Sequence, residues 1–290
     1  MTRPGTRWSG AAVLTGVVLL HLVMAAGFHL SPDEAHYALY ASHLDWSYFD
    51  HPPLVGWIQW PALMLGGGDW LMRLVPMVCW WLAAVGIARV AADLYPRPGM
   101  DMAALLMLAL SPMPHLLGLA LVPDTLLLPI VCAVMGLCWR LCDPEEARRV
   151  GLWLGLGLCL GLAGLSKYTA VMLALGAALV LLAAHGGRLL FTAGPWLAVL
   201  LAAVLITPVI GWNATHDWIS FAYQLGHVAG TETWRPVRVA AYLLVQVIVF
   251  GLLLLVGLGA ALPARSTEVG GADAGQTAAR PQRVLPLFFC

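Results

Sequence analysis

Long apolar segments recur along the whole chain and limit the folds that it can adopt. Of its 290 residues, 61% are hydrophobic and only 10% are charged. The core of a soluble domain cannot absorb that much apolar surface, whereas a bilayer takes up helices of about 20 apolar residues each. The sequence therefore predicts an all-α polytopic membrane protein. The formal net charge of zero gives no sign of a nucleic-acid partner.

Eight segments have the length and composition of membrane-spanning helices. They cover residues 10–30, 71–93, 102–118, 124–141, 151–167, 169–185, 189–210 and 239–262. We predict that these spans form one domain, 1–262, and that 263–283 is a flexible cytoplasmic loop. The apolar run 284–290 resembles the start of a further span, so we expect a chain that is truncated at its C-terminus.

Segment 54–65 decides the predicted topology. Its twelve residues reach only about 18 Å as a helix, which is too short to cross. Trp57, Trp60 and Pro61 suit a helix that lies in the membrane interface. If this segment does not cross the membrane, eleven basic residues are cytoplasmic and four are external. If it does cross, six basic residues are cytoplasmic and nine are external. The positive-inside rule favours the first arrangement, with a cytoplasmic N-terminus and an external loop 31–70.

Acidic and imidazole groups gather in the predicted external segments. Asp33 and Glu34 follow the first span, Asp50 and His51 come later in the same loop, and Asp124 begins another span. Each position alone has a simple explanation, because acids stabilise the first turn of a helix and solvated loops carry charge. Three acidic sites at one membrane face exceed what helix capping requires. They indicate an active site that faces outward.

Two cations and a later loop complete the candidate residues. Lys167 is the only lysine and lies between two spans, and Arg73 lies near the outer end of its span. Either side chain could simply reach the membrane surface, or it could contact a lipid-linked phosphate and stabilise the charge that develops there. The loop after the seventh span carries Asn213 and His227, which suit a sugar pocket or the membrane interface.

These motifs resemble the bacterial branch of the dolichyl-phosphate-mannose protein mannosyltransferase superfamily. This glycosyltransferase family 39-like group includes the aminoarabinose lipid A transferases. The matching stretches are 33–37 (Asp-Glu-Ala-His-Tyr), 48–54 (Tyr-Phe-Asp-His-Pro-Pro-Leu), Arg73-Leu74, Pro123-Asp124, 165–169 (Leu-Ser-Lys-Tyr-Thr), and Trp212-Asn213 through His227. The resemblance extends over residues 10–262. It implies a GT-C-type bundle of membrane helices with interfacial helices in the first external loop.

The resemblance also implies an enzyme and its substrates. The expected activity is transfer of a sugar from a polyprenyl-phosphate-linked donor to a lipid, glycan or protein acceptor, at the periplasmic face of the bacterial inner membrane. The expected catalytic residues are Asp33 and Asp124. Substrate contacts are expected from Glu34, Tyr37, Asp50, His51, Arg73, Lys167, Asn213 and His227. A divalent cation held by Asp50 and His51 is the one expected cofactor.

From this resemblance we expect an inverting displacement, in which Asp33 takes the proton of the attacking acceptor and Lys167 offsets the charge of the leaving phosphate. The several acids could also form a retaining pair, because the sequence does not give their separation. A transporter or flippase of lipid-linked sugars is the alternative, because ions inside membranes also mark transport paths. An inactive fragment of a glycosyltransferase is a third possibility. The sequence has no inverted repeat and its ions gather on one face, which favours catalysis over transport.

Overall fold

The computed structural model describes residues 4–66, 68–228 and 235–250, and within these ranges all regular structure is helical. The α-helices are α1 (Pro4–Gly27), α2 (Pro32–Ser42), α3 (Leu54–Met64), α4 (Asp69–Met72), α5 (Leu74–Leu94), α6 (Met100–Leu110), α7 (Pro112–Leu119), α8 (Pro123–Leu141), α9 (Val150–Ser166), α10 (Ala170–His185), α11 (Ala193–Thr215), α12 (Ile219–Val228) and α13 (Pro236–Phe250). Short 3-10 helices connect α8 to α9 and α10 to α11.

Five helical segments in the described part of the chain are long and apolar enough to cross a membrane. They are Gly10–Gly27, Asp69–Leu94, Pro123–Leu141, Ala170–Phe191 and Ala193–Thr215. The prediction of an all-α polytopic membrane protein is confirmed. Helix α9 has 17 apolar residues and reaches about 25 Å, slightly less than the hydrocarbon thickness of about 30 Å.

One predicted span, 102–118, is wrong as a single helix. The chain forms α6 and α7 there, and their axes are bent by 71° at Ser111. Pro112 is the cause, because its ring disfavours helical geometry in the residue before it, and Ser111 has an extended ψ of 126°. The pair forms a broken span or a re-entrant loop.

Two other predicted segments have different outcomes. The short helix expected at 54–65 is present as α3, whose 11 residues are too few to cross a bilayer. The last predicted span, 239–262, coincides with α13 only as far as residue 250. Its remainder lies outside the described residues, as do 263–283 and 284–290, so the predicted division of the chain stays a prediction.

Helices α8 to α11 form the largest apolar core, and small residues let α9 and α11 approach closely. A Cβ on Gly157 would lie 2.5 Å from the carbonyl oxygen of Ala198, and one on Gly161 would lie 2.5 Å from Leu205. Such contacts are typical of membrane helices, where close packing stabilises the bundle. Because α8 and α9 are connected by a short loop and pack on each other, the start of α8 and the end of α9 meet at one end of the bundle.

A hydrogen-bonded pair of histidines attaches α1 to the broken span. Nε2 of His115 donates to the carbonyl of Ala109 at 2.7 Å, so its Nδ1 accepts from Nε2 of His21 at 2.9 Å. His21 is fully buried and packs edge-on against Trp80 of α5. The polar contact therefore holds α1, α5 and α7 together at the bend.

Candidate active site

The first turn of α2 is organised by Ser31 and Glu34. The Ser31 hydroxyl accepts from the Glu34 backbone at 3.3 Å, and a Glu34 carboxylate oxygen accepts from the Ser31 backbone at 2.8 Å. This is a capping box, and the Ser-x-x-Glu spacing predicts it. Ser31, and not Asp33, is therefore the N-cap. Asp33 is exposed, and its carboxylate forms no hydrogen bond within the part of the chain that the structure describes.

Glu34 and Arg73 form a buried, two-point ion pair. Nε and Nη2 of Arg73 donate to the two carboxylate oxygens at 2.9 and 3.0 Å. The remaining guanidinium N–H groups donate to the carbonyls of Ala25, Phe28 and His29, so all five donors of Arg73 are used. We expected both side chains to contact substrate. The structure instead directs them toward each other and toward the end of α1.

The electrostatics of Glu34 agree with this structural role. Burial alone would raise the pKa of its carboxyl group, but hydrogen bonds from Arg73 and Ser31 outweigh that effect, and the pKa is lowered. The ion pair joins the start of α2 to the beginning of α5. It thereby fixes the helix that carries Asp33 and Tyr37.

Tyr37 lies within electrostatic range of three carboxylates. Its side chain is buried, and its ring lies 5.6 Å from the ring of His51. Burial raises the pKa of the Tyr37 phenol, and the negative charges of Asp50, Asp33 and Asp124 raise it further. Charges that act together on one phenol lie near it. The three predicted acidic sites therefore lie within electrostatic range of the Tyr37 phenol.

Asp50 is surrounded by aromatic donors from α2. The Tyr40 hydroxyl donates to one of its carboxylate oxygens, and Nε2 of His36 lies 3.4 Å from the other. Nδ1 of His51 lies 3.7 Å from that second oxygen. Burial raises the pKa of Tyr40, and the hydrogen bond to Asp50 raises it further. The predicted site residues did not include His36 or Tyr40, although their spacing of four places them on one helix face.

Asp124 and Lys167 meet across the ends of α8 and α9. Nζ of Lys167 lies 2.7 Å from both carboxylate oxygens of Asp124. The Lys167 side chain is 28% exposed and the Asp124 side chain 46%. An ammonium group has three N–H donors, and the carboxylate occupies two of them. Val122 is the N-cap of α8 and its backbone N–H donates to the Thr125 hydroxyl at 3.2 Å, so Asp124 is not the residue that caps this helix.

Comparison with known proteins assigns the chain to a family. Residues 50–212, more than half of the chain, match the family model described as dolichyl-phosphate-mannose-protein mannosyltransferase. The chain belongs to this family. It is also 28% identical over 216 residues to the lipid A galacturonosyltransferase RgtD of Rhizobium johnstonii. The match covers 72% of this chain and 44% of that relative, and no solved structure matches significantly.

Membership of the mannosyltransferase family confirms the predicted relationship and agrees with a GT-C-type helix bundle. The matched region contains the Asp50 cluster, Arg73 and the Asp124–Lys167 pair. Asp33 lies before it, so its assignment to the site depends on its electrostatic effect on Tyr37.

Asn213 has a structural position in this member of the mannosyltransferase family. It is fully buried, its amide donates to the Val209 carbonyl at 3.0 Å, and its oxygen accepts from the Ser220 backbone at 3.3 Å. We expected a sugar contact, and the structure shows a connection between α11 and α12 instead. The side chain of His227 lies outside the described part of the structure.

The surroundings of Asp50 and His51 do not form a set of metal ligands. Nδ1 of His51 faces the backbone carbonyl of Asp50, and Tyr40 donates to the Asp50 carboxylate. Among the residues that the structure describes, no three His, Cys, Asp or Glu side chains converge as ligands. The divalent cation expected at Asp50 and His51 stays a prediction, and the proposed mechanism uses none.

Proposed function

We propose that the chain is a membrane glycosyltransferase that moves a sugar from a polyprenyl-phosphate-linked donor to an acceptor. The observation that carries this proposal is the contact of Lys167 with Asp124, together with Asp33, Asp50 and Asp124 within electrostatic range of Tyr37. Membership of the mannosyltransferase family supports it. A lipid A-type glycolipid is the first acceptor to test, because the bacterial relative is named for that substrate.

Asp33 is the general base in this proposal. Its carboxylate is exposed and forms no hydrogen bond with the described residues, so both oxygens are available to an acceptor. The acceptor oxygen attacks the anomeric carbon while its proton passes to Asp33. The bond from that carbon to the phosphate oxygen breaks on the opposite face, and its electron pair leaves with the phosphate. The configuration at the anomeric carbon is inverted.

Lys167 supplies positive charge for the leaving phosphate. Two of its N–H donors are held by Asp124, and the side chain remains partly exposed, so the third donor is available to a phosphate oxygen. Asp124 keeps the ammonium group in position at the end of α9. A preorganised cation of this kind stabilises charge that develops in the transition state.

Tyr37, Asp50 and His51 form the wall next to this centre. His36 and His51 lie beside Asp50, and their ring nitrogens can form hydrogen bonds with an anionic lipid carrier. Tyr40 holds the Asp50 carboxylate by donating to it. We propose that this group orients the donor phosphate, and that Glu34, Arg73 and Asn213 are positioning residues.

The membrane location of the site follows from its place in the bundle. Asp124 begins the membrane-spanning helix α8 and Lys167 follows the shorter apolar helix α9, so both lie at one end of the bundle. We propose that this end faces the periplasm of a bacterial inner membrane, because that orientation leaves most basic residues on the cytoplasmic side. Donor and acceptor lipids then reach the site from the outer leaflet.

A donor panel tests the proposal. The purified protein in lipid nanodiscs is incubated with lipid A and a series of labelled polyprenyl-phosphate sugars, and products are identified by mass spectrometry. We expect at least one donor to give a glycosylated acceptor, with far less product from Lys167→Gln. Absence of transfer from every donor by folded protein, or equal product from Lys167→Gln, contradicts the assignment.

A further inference from the structure

The end of the bundle opposite the candidate active site contains a cavity of about 390 Å³. It lies where α8 ends, α9 begins, α10 ends and α11 begins. Because α8 and α9 carry Asp124 and Lys167 at their other ends, this cavity lies at the other membrane surface. Its size is within the range of small-molecule sites. Because the cavity is at the opposite membrane surface, we expect its ligand to differ from the proposed sugar donor.

The polar side of this cavity is positively charged. Arg148 and Arg188 line it, and no carboxylate is among its described lining residues. Arg148 lies 3.6 Å from Glu145 in a highly exposed pair, whereas Arg188 forms no hydrogen bond or ion pair with any described residue. Two exposed guanidinium groups at a membrane surface favour a phosphate ligand.

The backbone adds to this positive character. Val150 begins α9 and Ala193 begins α11; both residues line the cavity, and neither helix has a side-chain cap. Unpaired N–H groups at helix N-termini attract anions. Gly194 also lines the cavity, and a Cβ at this position would lie 2.3 Å from Nε1 of Trp153. The start of α11 thus packs against the indole that forms one wall.

An apolar groove of about 200 Å³ adjoins the cavity. The two share Trp153 and Leu189, and the groove runs between α9, α10 and α11 as far as Leu160. Leu160 follows Trp153 by seven positions along α9, which corresponds to about 10 Å of depth into the membrane. Ala177 and Ala178 help to form it, because their short side chains leave space between larger apolar neighbours.

We propose that the cavity and groove bind one anionic glycerophospholipid from the leaflet opposite the active site. The phosphate contacts Arg148, Arg188 and the start of α11, and an acyl chain occupies the groove beside Ala178. Free phosphate would leave the apolar groove empty, and a neutral lipid would leave the guanidinium groups without an anionic partner. The bound lipid holds α8, α9, α10 and α11 together at that surface.

Native mass spectrometry of the delipidated full chain in detergent tests this site. The probes are dioleoylphosphatidylglycerol, dioleoylphosphatidylcholine and dioleoylglycerol, with inorganic phosphate compared by thermal shift. We expect phosphatidylglycerol to bind at least tenfold more tightly than dioleoylglycerol and to raise the melting temperature, which phosphate alone does not do. An equal shift with phosphate alone identifies a free-anion site and overturns the proposal.

Matched variants locate the binding. We expect Arg188→Gln to weaken phosphatidylglycerol binding about tenfold, since a hydrogen-bonded charge contributes roughly that factor. Arg97→Gln removes an exposed charge outside the cavity and leaves binding unchanged. Ala178→Trp fills the groove and also weakens binding, whereas Leu179→Trp, on a lipid-exposed neighbour, does not. Equal affinities for Arg188→Gln and Arg97→Gln exclude the site.

Discussion

Substitution of Arg73 by Leu is expected to destabilise the protein strongly. The change removes both hydrogen bonds to Glu34 and three more to carbonyls at the end of α1. The Glu34 side chain is only 4% exposed, so its charge is left in a buried site without a cation. Removing one partner of a buried ion pair costs about 3–5 kcal/mol of unfolding free energy. We expect Arg73→Leu to fall in that range.

The structure also predicts how a double substitution behaves. In Glu34→Leu with Arg73→Leu, no buried charge is left unpaired, and the loss of stability is smaller than the sum of the single changes, by about 2 kcal/mol. Arg149→Gln is the matched control, because Arg149 pairs with Glu146 at 2.8 Å while 64% exposed. An exposed pair of this kind contributes about 0.2–1 kcal/mol.

The assay is reversible denaturation of purified protein in detergent micelles, followed at several pH values. Because the pKa of folded Glu34 is below its ordinary value of 4.5, the contribution of the ion pair is complete above pH 4.5 and is lost as the pH falls through the lowered value. The difference between wild type and Arg73→Leu therefore shrinks at acidic pH. If Arg73→Leu is no less stable than Arg149→Gln, the ion pair does not hold α2 in place.

Three further predictions concern the site and the bend. Lys167→Gln is expected to lower the transfer rate by a factor of about 10²–10³, and Lys167→Arg to retain more activity, because the cation stabilises the leaving phosphate. Steady-state rates measure this, and equal rates for wild type and Lys167→Gln refute it. Chelators are expected to leave the rate of sugar transfer unchanged, since no three metal ligands converge among the described residues. A loss of transfer that added Mg²⁺ restores contradicts this prediction. Gly118→Ala is expected to destabilise the protein by about 1–3 kcal/mol, because the new Cβ lies 2.5 Å from Cε1 of His21. Denaturation measures this, and a variant as stable as wild type contradicts the prediction.

The membrane helices could largely be predicted from the sequence. The positions of α5, α8 and α11 follow from the lengths of apolar runs, because the thickness of the bilayer sets one length for every span. The break between α6 and α7 was missed, although Pro112 is a local signal for it. A run of apolar residues fits the bilayer whether or not the helix bends, so composition alone does not reveal a bend.

The side-chain pairings of the site could not be predicted. Glu34 and Arg73 are 39 positions apart, and Asp124 and Lys167 are 43 apart. Which ions meet depends on how each helix is rotated and which helices are neighbours, and a single sequence contains no direct record of either. The sequence indicated that acids gather at one membrane face. It did not separate ions that hold helices together from ions that face the site.

The rate of a single turnover in the Asp33→Asn variant tests the central claim most directly. Wild-type and variant proteins are mixed with labelled polyprenyl-phosphate sugar and an acceptor, and product is followed over time. A positioned base contributes about 10²–10⁴ to the rate, so we predict a fall of that size. Asp217→Asn is the control, because Asp217 lies in a turn with φ 54°, which Asn also adopts. A variant Asp33→Asn that transfers sugar as fast as Asp217→Asn contradicts the proposed site.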